Sequence, residues 1–314
     1  MQIFRGIPPS DTPTALTIGN FDGIHLGHQA MLERLERAAA ERGLPACVMT
    51  FEPHPREFFM PFAAPARLTS LREKLELFEK YGVERAYICR FTHPFAHIPA
   101  REFVTDLLCD RLQVEWVLIG DDFRFGAKRA GNLEMLQQAG ACCGFEVSSM
   151  DSIMAGDLRV SSTAVREALA NGDLELATQL LGRPYSISGR VIHGDKAGRK
   201  FGYPTANIQL KHNKPPLSGI FAVKLHGLSD ANLSDAGLPG AGSLGIRPTV
   251  KNDGKPTLEV HVFDFDQQIY GQHVRVDFYH KLREEQKFAS LDELIEAIGN
   301  DVAQARDYFS GSGG

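Results

Sequence analysis

The sequence of 314 residues contains no Cys-x-x-Cys, no apolar run approaching membrane-spanning length and no Gly-x-x-x-x-Gly-Lys-Ser/Thr phosphate loop. Each absence excludes a class. Without cysteines at ligand spacing no structural zinc site is expected. The five cysteines (Cys47, Cys89, Cys109, Cys142 and Cys143) are an odd number spread through apolar runs, which predicts reduced thiols and a cytoplasmic protein. Met1 to Pro13 has no apolar leader region and no spanning segment follows, so neither export nor a membrane anchor is expected. There is no excess of positive charge: 34 Lys and Arg stand against 39 Asp and Glu, a net charge of −5. That argues against a nucleic-acid surface. The basic residues that cluster, such as Lys196, Arg199 and Lys200, suit a small anionic ligand better than a duplex. No internal repeat is present.

What is present is an ordinary globular composition, 43% hydrophobic and 23% charged, long enough for two domains with full cores. One stretch organises the first half: Gly19-Asn20-Phe21-Asp22-Gly23-Ile24-His25-Leu26-Gly27-His28. The apolar run Ala15 to Ile18 before it reads as a buried strand. Met31, Leu35 and Ala38 after it recur at helical spacing as far as Arg42, with Gly43 in the position of a C-cap. The string is therefore a strand-to-helix turn. A helix N-terminus presents unpaired N–H groups and a positive dipole end, which suit phosphate. His25 and His28, three apart, can share one face of that first turn. A lone histidine at a helix start would be read as a surface or capping residue.

Strands and helices then alternate. Ala46 to Phe51, Arg85 to Cys89 and Trp116 to Ile119 read as strands, with helices over Leu71 to Tyr81 and Ala100 to Arg111. This pattern predicts a parallel sheet with helices on both faces and ligands beyond the C-terminal strand ends. Three loops fall at such ends: the histidine turn, Glu52-Pro53-His54-Pro55, and Gly120-Asp121-Asp122-Phe123. Val160-Ser161-Ser162-Thr163-Ala164-Val165-Arg166 opens another helix, where the hydroxyls could simply cap.

Near Pro184 the hydrophobic period changes to two. Ser186 to Ile192, Ile220 to Leu225, Leu258 to Phe265 and His273 to Tyr279 read as strands without intervening helices, which predicts an antiparallel sheet or small barrel. His226 to Ser243 reads as a long surface loop. A capping box at Ser290 and Glu293 opens a last helix whose stripe, from Leu291 to Phe309, is expected to pack on the barrel. Domains are expected over 1–184 and 185–310, followed by a disordered tail over 311–314. Gly194, Gly198 and Gly202 recur every four residues with Arg199 and Lys200 between them, ahead of Pro204-Thr205-Ala206-Asn207. Alone, this would be a turn. Glu259, in Leu258-Glu259-Val260-His261, alternates off the core face, where a solvated charge is the ordinary reading.

These motifs, over about residues 14 to 309, resemble the bacterial bifunctional riboflavin kinases and FAD synthetases of the proteobacterial type. The Gly-Asn-Phe-Asp-Gly lead-in and His25-x-Gly27-His28 resemble the HxGH signature of the nucleotidyltransferase superfamily. The resemblance implies a Rossmann-like FMN adenylyltransferase domain followed by a riboflavin kinase β-barrel with a closing helix. It implies that His25, His28 and Arg166 stabilise the transferring nucleotidyl group. Gly19, Asn20, Phe21, Asp22, Gly23, His54, Gly120, Asp121, Phe123, Ser162 and Thr163 would bind ATP or flavin there.

For the second domain the resemblance implies that Glu259 is the base for the riboflavin 5′-hydroxyl. Thr205 and Asn207 would hold Mg²⁺, and Gly194, Gly198, Lys200, Gly202, Pro204 and Arg283 would line the ATP and flavin sites. Substrates would be riboflavin, FMN and ATP, with no nucleic acid and no membrane. One departure is Ser243, where the family usually has Asn before the apolar-Gly pair. A different nucleotidyltransferase, a flavin-binding sensor without turnover, and a chain with one live activity remain alternatives at this point.

Overall fold

The computed structural model describes residues 1–194, 201–211, 214–228, 236–246 and 256–311. Packing divides them into two units. The first comprises Met1–Pro65 and Leu71–Ser161; the second comprises Ala66–Ser70 and the chain from Ser162 onward.

The first unit is built on a six-stranded sheet, β1 (Gln2–Arg5), β2 (Thr14–Ile18), β3 (Ala46–Glu52), β4 (Arg85–Arg90), β5 (Val114–Gly120) and β6 (Glu146–Met150), in the order β1-β4-β3-β2-β5-β6. Every pairing is parallel. Alternate residues of each strand feed different cores, as a two-residue period requires. Ala15, Val48, Trp116 and Leu118 pack with Leu32 and Leu35 of α1 (Leu26–Arg42) and, after the short α2 (Pro55–Phe59), with Phe78 of α3 (Leu71–Lys80). Leu16, Met49, Val117 and Ile119 pack on the other face with Leu107, Leu108 and Leu136. The expected doubly covered parallel sheet is what forms. Gly43 caps α1 in the left-handed region, its N–H reaching the carbonyls of Ala39 and Ala40.

One helix differs from expectation. From Ala100 the chain is α-helical only to Glu102, and Phe103–Arg111 is wound as a π-helix. Its buried residues explain the wider turn. Phe103 and Val104, Leu107 and Leu108, then Leu112 recur at intervals of four to five, which a wider winding keeps on one face. Among the elements the hydrophobic pattern left unassigned are β1, β6, the helix Leu133–Cys143, and the small hairpin Met154–Ala155 with Leu158–Arg159.

The second unit contains a closed antiparallel barrel. Its strands are Tyr185–Ile192, Ala206–Gln209, Gly219–His226, Leu238–Ile246, Pro256–Val262 and His273–Arg283. The expectation of a surface loop from His226 to Ser243 is corrected here. From Leu238 the chain is a strand paired on both sides, with residues 229–235 outside the described set. The glycines that suggested a loop are demanded by the closeness of neighbouring strands. A Cβ on Gly240 would lie 2.5 Å from the His261 carbonyl oxygen, and one on Gly242 would lie 3.0 Å from the Val223 side chain. The strand expected to reach Phe265 ends at Val262, because Asp264 turns through a left-handed φ of 52°.

The C-terminal helix, Leu291–Gly311, lays Val302, Ala305 and Phe309 on Ala222 and Phe263 of the barrel unit. Leu291, at the head of the expected stripe, is 53% exposed. Ser290 accepts from the Glu293 N–H as in a capping box, while the Glu293 carboxylate reaches the N–H of Ala289. Gly311 ends this helix, and 312–314 lie outside the described residues.

Two helices, Ser162–Ala170 and Leu174–Leu181, precede the change of period at Pro184 yet pack with the barrel unit. The second buries Leu174, Ala177, Leu180 and Leu181. A fragment spanning 162–311 is therefore expected to melt cooperatively, and one spanning 183–311 to melt about 5 °C lower or more, since several leucines lose their cover. Calorimetry of the two fragments decides this. Equal melting temperatures would show that the helices add nothing to the barrel.

Candidate active sites

In a sheet of this order the chain reverses its winding between β2 and β5, and that switch point is where α/β sheets bind ligands. Three adjacent strands, β3, β2 and β5, end there. They carry His54, the histidine turn, and Gly120 with Asp121.

The turn is a strained device. Phe21 and Ile24 have φ of 50° and 41° without being glycine, and Gly23 has φ 83°. Such conformations cost about 1–3 kcal/mol each and persist only where packing enforces them. Here packing does: Phe21 and Ile24 are fully buried, and the Phe21 ring meets Phe78 edge-on at 5.3 Å. Gln29 is buried too, its amide donating to the Ile24 carbonyl at 2.8 Å.

The backbone so folded sets His25 at the N-cap of α1. Its ring stacks on that of His28, centroids 3.8 Å apart, and Phe21 flanks His28 at 5.1 Å. Gly27 makes room, since a Cβ there would come within 3.2 Å of the His25 ring. Burial, then the neighbouring His25, then Lys74, push the His28 pKa well below 6.5, so the ring is neutral at pH 7. His28 Nδ1 is buried without a hydrogen-bond partner among the described residues. A buried polar atom left unmatched is costly. Its place on the first turn of a helix suits a phosphate ligand.

Other expected residues make contacts within their own units. His54 caps α2, its Nδ1 accepting from the Arg56 N–H at 3.1 Å while Glu57 accepts from the His54 N–H. Asp121 accepts weakly from Ser152 at 3.4 Å, and Arg159 pairs with Asp122 at 2.8 Å, so the small hairpin tethers this loop. Phe123 stacks on Phe125 at 5.6 Å. In the second unit Ser162 opens its helix, Thr163 is exposed, and Arg166 donates to the carbonyls of Ala66 at 2.6 Å and Ser162 at 3.1 Å. Sequence reasoning missed Gln29 and the buried Lys74. For Gln29 the available signal was polarity at a helix position bracketed by core residues.

On the barrel, strand register places Asn207 directly opposite Glu259. Their neighbours Ile208, Leu258 and Val260 point into the core, so both lie on the outer face. The same register places Ser243 opposite Glu259 from the other side. Asn207, Glu259 and Ser243 thus form one row across three strands, with side chains about 5 Å apart. Ser243, which departs from the family pattern, is the immediate neighbour of the expected base. Gly194 lies against this row, because a Cβ there would overlap the Asn207 amide. Gly202 turns through φ 86°, and the Pro204 carbonyl bonds the His261 ring at 2.8 Å, which holds Pro204-Thr205 beside that strand. Arg283 forms a fork with the buried Asp301 at 2.8 and 2.7 Å, tying its strand to the C-terminal helix. Gly198 and Lys200 lie outside the described residues, as do Lys196 and Arg199.

A turn suited to phosphate at the switch point of a parallel sheet, and a closed barrel with a carboxylate and an amide paired across strands, are the features of a two-domain transferase. Comparison with known proteins agrees. The FAD synthetase family model matches residues 7–164, and the riboflavin kinase family model matches residues 181–309. The bifunctional riboflavin kinase/FMN adenylyltransferase of Escherichia coli K12 is 46% identical over 98% of each chain. That of Haemophilus influenzae is 47% identical over 99% of this chain and all of its own. The chain belongs to the bifunctional riboflavin kinase/FMN adenylyltransferase family. A crystal structure of a macrolide-efflux protein from Streptococcus pneumoniae has the same fold, with a TM-score of 0.80 at 29% identity over 96% of this chain and 97% of that one. Efflux is said of that protein; here no helix among the described residues is long and apolar enough to cross a membrane.

Gly194 gives a geometric test. Gly194→Ala must displace the Asn207 amide, so riboflavin phosphorylation should fall by on the order of 10²-fold while FAD formation from supplied FMN is unchanged. Separate assays of the two steps check it, and a fully active variant would show that Asn207 is not held for catalysis.

Proposed function

We propose that the chain performs two successive transfers, each on its own module. In the barrel, Glu259 takes the proton of the riboflavin 5′-hydroxyl as that oxygen attacks the γ-phosphorus of ATP, and ADP leaves. The product is FMN. In the first domain an oxygen of the FMN phosphate attacks the α-phosphorus of a second ATP. FAD forms and pyrophosphate leaves. That phosphate is mostly ionised near pH 7, so the second step needs no base. It needs the charge on the five-coordinate phosphorus and the departing pyrophosphate to be stabilised by groups already in place. His25 and His28 on the turn supply this. The observation that carries the reading is the stacked histidine pair, with His28 buried and neutral, on a strained turn at the switch point.

Mg²⁺ fits the barrel row. The donors are neutral oxygens, the Thr205 hydroxyl and Asn207 amide, and the amide occupies a cradle that a Cβ on residue 194 would fill. Few protein oxygens beside water and substrate phosphates are what Mg²⁺ requires. When bound, it would neutralise charge on the ATP phosphates. Thr205 and Asn207 position that charge, and Glu259, one strand away, meets the hydroxyl. A cytoplasmic location agrees with five free cysteines, two of them buried. Net charge of −5 supports small-molecule partners over nucleic acid.

His28→Ala should lower FAD formation by about 10²-fold or more while FMN still accumulates from riboflavin. Glu259→Gln should do the reverse, with a loss of about 10²- to 10⁴-fold in riboflavin phosphorylation. Chromatographic separation of FMN and FAD reads both. Parallel loss of the two activities in either folded variant would contradict separate sites.

A further inference from the structure

Lys74 is 4% exposed, although it lies on a helix with solvent on one side. Lysine is almost never buried to this degree without a specific reason, because its ammonium must leave water. Its surroundings supply the reason. Lys74 and Phe78 are four apart on α3 and share one face. Phe78 packs its ring against Phe21, and the Lys74 ammonium donates to the carbonyl of Asn20 at 2.7 Å. One helix face therefore grips two successive residues of the histidine turn. Thr50 on β3 donates to the same Asn20 carbonyl at 3.3 Å.

We propose that Lys74 is a positioning residue for adenylyl transfer: its buried ammonium pins the Asn20 backbone of the histidine turn and places a fixed positive charge beside His28. This rests on the reading of that turn as the FMN adenylyltransferase site. The groups that act electrostatically on His28 are His25, from the turn itself, and Lys74, from α3. Burial of the ring is the largest influence, His25 the next, and the ammonium adds to both. A cation near the neutral His28 ring gives the site positive potential for phosphate. It also keeps a proton off His28 at the pH where the enzyme works. The charge costs no reorganisation when negative charge develops on the pyrophosphate, because it is already in place.

Lys74→Gln separates the two contributions, since the amide can still donate to the Asn20 carbonyl but carries no charge. The full-length chain is assayed for FAD formation from supplied FMN and ATP between about pH 5 and pH 9, with Lys74→Arg and His28→Ala alongside. Riboflavin phosphorylation in the same preparations and a thermal melt report folding. Lys74→Gln should lower kcat for FAD formation by on the order of 10-fold or more, with KM for FMN moved much less. Its acid limb should move to higher pH, because His28 loses a repelling cation and takes a proton more readily. Lys74→Arg should restore the limb, and phosphorylation of riboflavin should not change. Parent-like rate and profile in Lys74→Gln, with His28→Ala inactive, would overturn the role of Lys74 and leave the turn assigned. Loss of rate without movement of the limb, or with equal loss of kinase activity and a lower melt, would show a structural role and overturn it too. Parent-like FAD formation by His28→Ala would remove the reading of the turn on which the inference rests.

Discussion

The first domain depends on a backbone held where side-chain residues do not readily go. Phe21 and Ile24 are left-handed and fully buried, and their burial offsets the strain of the turn between β2 and α1. Burying a large apolar side chain contributes about 1.5–3 kcal/mol, comparable with the cost of the conformation. What this secures is direction. The chain leaves the sheet at the switch point, opens a helix there, and stacks two imidazoles against each other within one turn. Relaxing either residue would let the helix start swing, and the ring pair would lose its common face.

The second domain achieves the same precision by a different constraint. A closed barrel has no free edge, so register is fixed around the whole ring. Register alone brings Asn207, Glu259 and Ser243 into line from three strands widely separated in the chain. Glycines at 194 and 240 admit close neighbours where any side chain would overlap, and Gly242 leaves room for the Val223 side chain. The fork between Arg283 and the buried Asp301 then fastens the C-terminal helix to the strand that completes the ring. The row is thus held by main-chain pairing.

Much of this was legible in the residues. The six parallel strands were traceable where apolar runs were strong, as at Ala15 to Ile18 and Trp116 to Ile119, but β1 and β6 carry mixed polarity and left no clear period. The strand Leu238–Ile246 was hidden because Gly240 and Gly242 resemble loop residues until the neighbouring strand explains them. The π-winding of Phe103–Arg111 was readable in principle from its four-to-five spacing, which overlaps with the ordinary helical pattern. At the sites, His25, His28, Asn207 and Glu259 stood out by motif. The capping role of His54 and the fork holding Arg283 did not, because both depend on partners that local sequence does not reveal. Lys74 was invisible for a simpler reason: a lysine on an amphipathic helix is read as solvated unless the structure shows it turned inward.

The central claim is that one chain holds two separate sites that act in sequence. A time course of the full-length protein with riboflavin, ATP and Mg²⁺, sampled by chromatography, tests it most directly. FMN should form first without delay, with ADP in equal amount, and FAD should follow after a lag together with pyrophosphate. Flavin that binds without consumption of ATP, or FMN that never proceeds to FAD in the presence of excess ATP, would contradict the account.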